Sequence, residues 1–194
     1  AYDCLMGLSK FDTQRRNSLR RVRGKVLEIG VGTGLNLPHY PDAVLQLTAV
    51  DPNPGMLRQL ARKQSRITLD IQQAGAEKLP FSDESFDTIV TTHVLCSIPN
   101  RARALAEIRR VLRPGGRYVF LEHGLSPDAS VARWQKRLNG IQRRFAAGCL
   151  LDVPVRDELN AAGFTFDSLK EYYLKKQSRT HTYFYDGVAT PNQS

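Results

Sequence analysis

Short apolar runs alternate along the chain with longer stretches whose apolar residues recur every three or four positions. The runs predict strands at Val26-Leu27-Glu28-Ile29, Leu45 to Val50, Ile67 to Ile71, Thr88 to Thr91 and Arg117 to Glu122. The longer stretches predict helices. Leu5, Leu8, Phe11, Leu19 and Val22 form one apolar stripe among arginines, ended by Gly24. Pro54 to Lys63 is a second helix, and Asn100 is the N-cap of a third that runs to Leu112. Arg113-Pro114-Gly115-Gly116 is expected to stop that helix and reverse the chain. Pro127 to Ala147 carries Val131, Trp134, Leu138, Ile141 and Phe145 on one helical face, and Pro154 to Ala162 is a short helix closed by Gly163. Phe164 to Tyr173 and Arg179 to Val188 are aromatic and β-branched and read as a terminal hairpin, followed by a frayed tail after Ala189. Strands alternating with helices make an α/β protein with a parallel sheet. The element list suits an open, doubly wound sheet, in which ligands bind beyond the carboxyl ends of the strands near the switch point.

A chain of 194 residues fits a single domain spanning 1–194, with an N-terminal helix at about 1–23 and a helical lid at about 124–151. Hydrophobic residues at 41% and charged residues at 24% exclude a disordered, collagen-like or disulfide-stapled chain. No run approaches the roughly 18 apolar residues of a membrane span, and the start lacks a charged-then-apolar signal pattern. Cys4, Cys96 and Cys149 are odd in number and widely spaced. They imply a reducing, cytoplasmic setting without a disulfide framework, and their spacing shows no metal-ligand motif. The net charge of +9 is the unusual figure. It admits nucleic acid, an anionic membrane, an acidic ligand or a solvated surface.

The sharpest local feature is Glu28-Ile29-Gly30-Val31-Gly32-Thr33-Gly34, three alternating glycines directly after a strand. Glycines permit a tight turn and close approach of a ligand to the backbone. Asp51, at the end of the next strand, is placed to accept hydrogen bonds from the two hydroxyls of an adenosine ribose. A nicotinamide fingerprint needs G-x-G-x-x-G. Here Leu35 stands where its third glycine belongs, and Glu28 would repel a pyrophosphate but welcome an ammonium group.

These residues, with Asp51-Pro52-Asn53-Pro54, Glu77-Lys-Leu-Pro-Phe81, Ser85-Phe86-Asp87 and Leu112-Arg-Pro-Gly-Gly116, resemble the class I S-adenosylmethionine-dependent methyltransferases of the type 11 group. The resemblance is close over Val26 to Glu122 and looser elsewhere. It implies a Rossmann-like seven-stranded sheet whose last strand is antiparallel. It implies S-adenosyl-L-methionine as cofactor and S-adenosyl-L-homocysteine as product. Carried over, Glu28, Gly30, Gly32 and Gly34 line the methionine half. Asp51 holds the ribose, Pro52 and Met56 pack near the adenine, and Ala76 and Glu77 lie along its edge. Thr92 and His93 sit beside the sulfonium. Many relatives have Asp where this chain has Gly75, which shifts the adenine amino contact to backbone or to Glu77.

The reaction needs position, desolvation and sometimes a base, but no metal. His123 and His93 follow the fifth and fourth strands and are the candidate catalytic bases. His39 lies in the turn near the glycine loop, and His181 lies in the hairpin. Cys96 and Cys149 read as small buried hydrophobes. Two acceptor readings compete. His93-Val-Leu-Cys-Ser-Ile98, Phe120-Leu-Glu-His123 and Gly148-Cys149 resemble alkyl-thiol S-methyltransferases. Val31-Gly-Thr-Gly-Leu-Asn-Leu-Pro-His-Tyr40 resembles bacterial phospholipid N-methyltransferases. A thiol ranks first and phosphatidylethanolamine at an anionic membrane second. Trp134, Leu138, Ile141 and Phe145 are expected to wall the acceptor pocket. Basic residues on that helix (Arg133, Lys136, Arg137, Arg143, Arg144) and on the N-terminal one (Arg15, Arg16, Arg20, Arg21, Arg23) are solvated or grip a membrane. A nucleic-acid enzyme ranks last: after the fourth strand the chain reads Thr91-Thr92-His93-Val94, without the Pro-Pro-aromatic motif used on flipped bases.

Overall fold

The computed structural model describes residues 9–146, 148–175 and 177–192. Its elements in chain order are α1 (Ser9–Leu19), β1 (Gly24–Ile29), β2 (Val44–Asp51), α2 (Pro54–Leu60), β3 (Leu69–Gln73), β4 (Phe86–Thr92), α3 (Arg101–Val111), β5 (Leu112–His123), α4 (Ala129–Phe145), α5 (Val155–Ala161), β6 (Phe164–Tyr173) and β7 (Tyr183–Pro191). Leu5, Leu8 and Cys4 lie outside the described residues.

Seven strands form one sheet in the order β3-β2-β1-β4-β5-β7-β6. The first five are parallel, and β7 runs antiparallel to both β5 and β6. The chain steps outward from β1 through β2 to β3, returns to the other side of β1 for β4, and continues to β5. That reversal makes the β1–β4 junction the switch point. Val26 to Ile29 are all buried, as a central parallel strand covered on both faces requires. One apolar layer gathers Leu27, Ile29, Ile89, Phe120 and the inner face of α3. The other gathers Val26, Leu47, Ala49, Val90, Val119 and Leu60 of α2.

Local chemistry explains the boundaries. The Asn53 side chain accepts from the Gly55 and Met56 amides and starts α2, with Pro54 in its first turn. The helix stops at Leu60, short of Lys63, because Arg62 and Lys63 bond only three residues back, to Gln59 and Leu60. Asn100 caps α3 by accepting from the Arg103 amide at 3.1 Å. β3 starts two residues later than the pattern predicts, because Ser65 Oγ captures both the amide and the carbonyl of Ile67 in a side-chain turn.

Four expectations need correction. The chain does not fray directly after Ala189: β7 continues to Pro191, which pairs with Phe164. Arg113 to Gly116 does not stand outside the sheet: β5 begins at Leu112, and its pairing with β4 advances five residues against two, so the Pro-Gly-Gly segment is a bulge within the strand. Nor does the apolar stripe of α4 form a buried wall. Trp134, Ile141 and Phe145 are 55%, 63% and 80% exposed, while Val131 and Gln135 face inward. Gln135 anchors the helix. Its Oε1 accepts from the Ser126 amide at 3.0 Å, and its Nε2 donates to the Gly124 and Thr180 carbonyls at 2.9 and 3.1 Å. The arginines of α1 and the turn after it are also not one free surface. Arg15 is buried, Arg16 pairs with Asp12, and Arg21 pairs with Asp186 of β7.

Candidate active site

Parallel pairing brings the carboxyl ends of β1, β2, β4 and β5 to one edge of the sheet. The glycine turn leaves β1 there. The Gly30 and Val31 amides donate to the Val50 carbonyl at 2.8 and 3.1 Å, tying the turn to β2. Gly32 and Gly34 both have positive φ, +56° and +82°. A Cβ on Gly34 would lie 2.5 Å from Leu60, so that glycine serves packing against α2. A Cβ on Gly32 would meet nothing within 4 Å, so the backbone there faces open space. Asp51 is buried at the end of β2. Its Oδ2 accepts from the Gly32 amide at 3.0 Å and its Oδ1 from the Asn53 amide at 2.8 Å. The acid is thus locked to the loop it was paired with on sequence grounds.

Glu28 is fully buried in β1. Its Oε1 accepts from Asn36 Nδ2 at 2.8 Å and its Oε2 from the Tyr40 hydroxyl at 2.8 Å. Burial pushes its carboxyl up to about 7, while the Tyr40 and Asn36 bonds pull it back. Asn36 Nδ2 also donates to Thr92 Oγ1 at 2.9 Å, which links the glycine loop to the end of β4. The buried Asn36 Oδ1 has no partner among the described residues. Asn36 and Tyr40 were not singled out from the sequence, although two polar residues soon after a buried acid were a usable signal.

His93 follows β4 in a left-handed conformation, φ +58°, uncommon for a residue other than glycine. Glu122 holds that turn. Its Oε2 accepts from the Val94 and Leu95 amides at 2.8 and 3.2 Å, and burial pushes its carboxyl up to about 7. The His93 ring is buried edge-on to Phe11 of α1 and Phe184 of β7. Burial holds it well below the ordinary 6.5, helped by the nearby charges of Arg15 and His123. His93 is therefore neutral, and its Nε2 has no hydrogen-bond partner among the described residues. His123, at the end of β5, is only half-buried, with its ring 6.4 Å from that of His93 and nearly parallel to it. Its Nε2 lies 3.3 Å from Cys149 Sγ. Contact with Cys96, and then with His123, lowers the Cys149 thiol, while the same contact and burial raise that of Cys96. The Cys96, His123 and Cys149 ligand atoms all lie within 4.8 Å of one another, a grouping that the sequence spacing concealed.

The remaining candidates sit farther round the edge. Pro52 is exposed and accepts from Gln73 through its carbonyl. Met56 is half-buried in the first turn of α2. Ala76 is buried after β3, and Glu77 accepts from the Asn100 amide at 3.4 Å, at the entrance to α3. His39 bonds Asp12 of α1 at 2.7 Å, and His181 is exposed in the turn before β7. Two surface cavities, of about 450 and 780 Å³, lie elsewhere. One is at the opposite strand ends, around Arg23 and Arg117, and the other is between α3 and α5.

A methyltransferase-domain family model matches residues 27–120. The thiol S-methyltransferase TMT1B of Homo sapiens is 31% identical over 170 residues, 80% of this chain and 69% of that protein. TMT1A of Homo sapiens, also a thiol S-methyltransferase, is 34% identical over 72% of this chain and 59% of its own length. The phosphatidylethanolamine N-methyltransferase of Cereibacter sphaeroides is 34% identical over 66% of each. The chain thus spans about three fifths to two thirds of these relatives. Among solved structures, the complex of the Haloferax volcanii Trm112 methyltransferase activator with a methyltransferase matches with a TM-score of 0.77 at 17% identity, over 100% of this chain and 94% of that one. An S-adenosylmethionine-dependent methyltransferase of Thermotoga maritima matches at 0.71 and 21%, over 97% and 93%. These two likenesses establish the fold, and the match to the human protein over more than two thirds of its length goes further: the chain belongs to the class I S-adenosylmethionine-dependent methyltransferases, in the type 11 group.

Proposed function

We propose that this methyltransferase acts on a small or lipophilic thiol, with His123 as the group that takes the thiol proton. The carrying observation is the 3.3 Å approach of His123 Nε2 to a sulfur, Cys149 Sγ, at a half-buried ring on the end of β5. An imidazole nitrogen that already meets one thiol, on a ring only half-buried, has the chemistry and the access to take a proton from a second that approaches it. His93, buried and weakly basic, positions rather than deprotonates.

The edge of the sheet fits S-adenosylmethionine on its own chemistry. Glu28 and the unpartnered Asn36 Oδ1 offer acceptors to an ammonium group, and Gly32 leaves its backbone open. Asp51 keeps lone pairs for ribose hydroxyls beyond those used by Gly32 and Asn53. Gly30 and Gly34 shape the turn around the methionine half. Pro52, Met56, Ala76 and Glu77 border the adenine, and Thr92 and His93 border the sulfonium. When bound, the cofactor supplies a methyl carbon already activated by a sulfonium. The protein then has to align the acceptor sulfur, exclude water and remove one proton. The sulfur–hydrogen pair becomes the new sulfur–carbon bond, the proton passes to His123 and on to solvent, and the products are a methyl thioether and S-adenosylhomocysteine.

A second reading, a lipid amine acceptor at an anionic surface, is favoured by one feature. The outer face of α4 exposes Trp134, Ile141 and Phe145 beside exposed Arg133, Arg137 and Arg144. That is the composition of a helix lying in a membrane interface. No described helix is long and apolar enough to cross a membrane. S-adenosylhomocysteine release measured with short alkyl thiols and, separately, with phosphatidylethanolamine liposomes decides between them. We expect turnover on thiols and its reduction by at least tenfold in His123→Ala with cofactor affinity retained. Turnover on liposomes alone would overturn the thiol assignment.

A further inference from the structure

We infer that Cys96, His123 and Cys149 form a three-ligand zinc site at the carboxyl edge of the sheet, its fourth coordination position open to an acceptor thiolate. The fourth-ligand clause rests on the thiol reading; the three protein ligands stand without it.

Three separate elements build the group. Cys96 lies in the tight turn after β4, His123 ends β5, and Cys149 follows α4. The Leu150 amide donates to the Cys96 carbonyl at 2.9 Å, which fixes the Cys149 segment against that turn. Tetrahedral zinc bonds sulfur at about 2.3 Å and imidazole nitrogen at about 2.0–2.1 Å, which sets sulfur and nitrogen about 3.5 Å apart and two sulfurs about 3.8 Å apart. The observed 3.3 Å between Cys149 Sγ and His123 Nε2 is already that spacing, and the 4.8 Å bound on the whole group lets small side-chain rotations close the rest.

The donor set selects the ion. Two sulfurs and an imidazole suit a soft or borderline cation and exclude magnesium or calcium. Three protein ligands, with no fourth His, Cys, Asp or Glu in the group among the described residues, make an open site rather than a closed structural one. Polar neighbours orient the sulfurs: Gln142 Nε2 donates to Cys149 Sγ at 3.9 Å, and Ser97 Oγ lies 3.6 Å from Cys96 Sγ. Both cysteines are buried while His123 is half-buried, so the open position has an approach from the histidine side. A thiol bound there loses its proton to solvent, because a coordinated thiol is deprotonated outright. The proton transfer to His123 proposed above belongs to the metal-free chain; with the ion bound, His123 is a ligand and the ion does that work. The sulfur lone pair forms the bond to the methyl carbon as the sulfonium sulfur keeps the electrons of the bond that breaks.

The test uses the full chain, reduced with a phosphine, stripped with a chelator and titrated with Co²⁺ as a spectroscopic probe. We expect one ion per chain, a thiolate-to-cobalt charge-transfer band, four-coordinate visible bands and displacement by Zn²⁺. Cys149→Ser and Cys96→Ser should each lose charge-transfer intensity and weaken Zn²⁺ at least a hundredfold. His123→Ala should weaken it at least tenfold, and His181→Ala should leave it unchanged. Circular dichroism checks that the variants fold, and Zn²⁺ should raise the Tm of the reduced wild type but not of Cys149→Ser. A reduced wild type without the charge-transfer band, or binding untouched by both serine variants, overturns the site. A Cys96–Cys149 disulfide that forms in the presence of Zn²⁺ overturns it too. Adding a short alkyl thiol should perturb the cobalt bands; if it does not, the open position is refuted. These spectra involve no methyl donor or turnover, so their failure and that of the thiol assignment are read separately.

Discussion

Glu122→Gln should remove a pH dependence that the wild-type fold carries. Glu122 is wholly buried at the end of β5, and burial moves its carboxyl from 4.5 to about 7 against the pull of Thr91 and the Val94 and Leu95 amides. A raised carboxyl binds its proton more tightly in the folded chain than in the unfolded one. Its contribution is therefore fully present below 4.5 and is lost as pH climbs through about 7. At 1.36 kcal/mol per decade, a midpoint moved from 4.5 to about 7 is worth about 3 kcal/mol, of which about 2.5 kcal/mol falls between pH 5 and pH 8. Glutamine keeps a carbonyl oxygen for the two amides and has nothing to titrate.

Other groups titrate in the same window. Glu28 acts in the same direction, whereas buried neutral His93 acts oppositely: it destabilises the fold as pH drops below 6.5, where the unfolded ring takes up a proton. Both are present in wild type and variant and cancel in the difference. Urea unfolding of the two proteins from pH 5 to pH 8.5 reads that difference. The stability of wild type relative to Glu122→Gln should fall by about 2.5 kcal/mol across the range. Curves that stay parallel within about 0.5 kcal/mol would refute the argument, because a buried carboxyl with an ordinary midpoint does not titrate there.

The two glycines of the turn should separate binding from stability. Gly34→Ala meets Leu60 at 2.5 Å and adopts a left-handed φ, for a loss of about 2–5 kcal/mol in denaturant titration. Gly32→Ala carries only the φ penalty, about 1–2 kcal/mol, but should weaken S-adenosylmethionine at least tenfold by calorimetry; unchanged affinity would remove Gly32 from the cofactor surface. On α4, Gln135→Leu strands one amide and two carbonyls and should cost about 3 kcal/mol, whereas Trp134→Ala should change stability by less than about 0.5 kcal/mol. If the outer face meets an anionic surface, the triple variant of Trp134, Ile141 and Phe145 to alanine loses sedimentation with anionic vesicles at low salt. Equal sedimentation of both proteins would leave that face without a membrane role.

The strands and most helices were legible because period and capping are local: Asn53 and Asn100 announce the helices they cap. The hydrophobic stripe of α4 misled for a physical reason. Periodicity shows that a helix has two faces but not which one turns inward, and here one glutamine with three hydrogen bonds outweighs three exposed apolar side chains. The Arg-Pro-Gly-Gly turn misled similarly. Its composition fits a reversal, and a parallel neighbour absorbed it as a bulge.

The site divides along the same line. Glu28 and the glycines stand out because a strand and the turn that leaves it are contiguous in sequence, and Asp51 because it ends the strand that follows. His123 and Cys149 are 26 residues apart on different elements, and no spacing rule joins them. Topology joins them. In a doubly wound sheet every parallel strand delivers its last residue to the same edge, so Thr92, His93, Glu122 and His123 meet however long the crossovers are. Cys96 and Cys149 reach that edge by local tethers, one in the turn after β4 and one through the Leu150 amide on the Cys96 carbonyl. Residues just past strand ends should therefore be read together across the chain. By that rule His93, Cys96 and His123 form one constellation from sequence alone, and only Cys149, delivered by a helix end, needs the structure to find it.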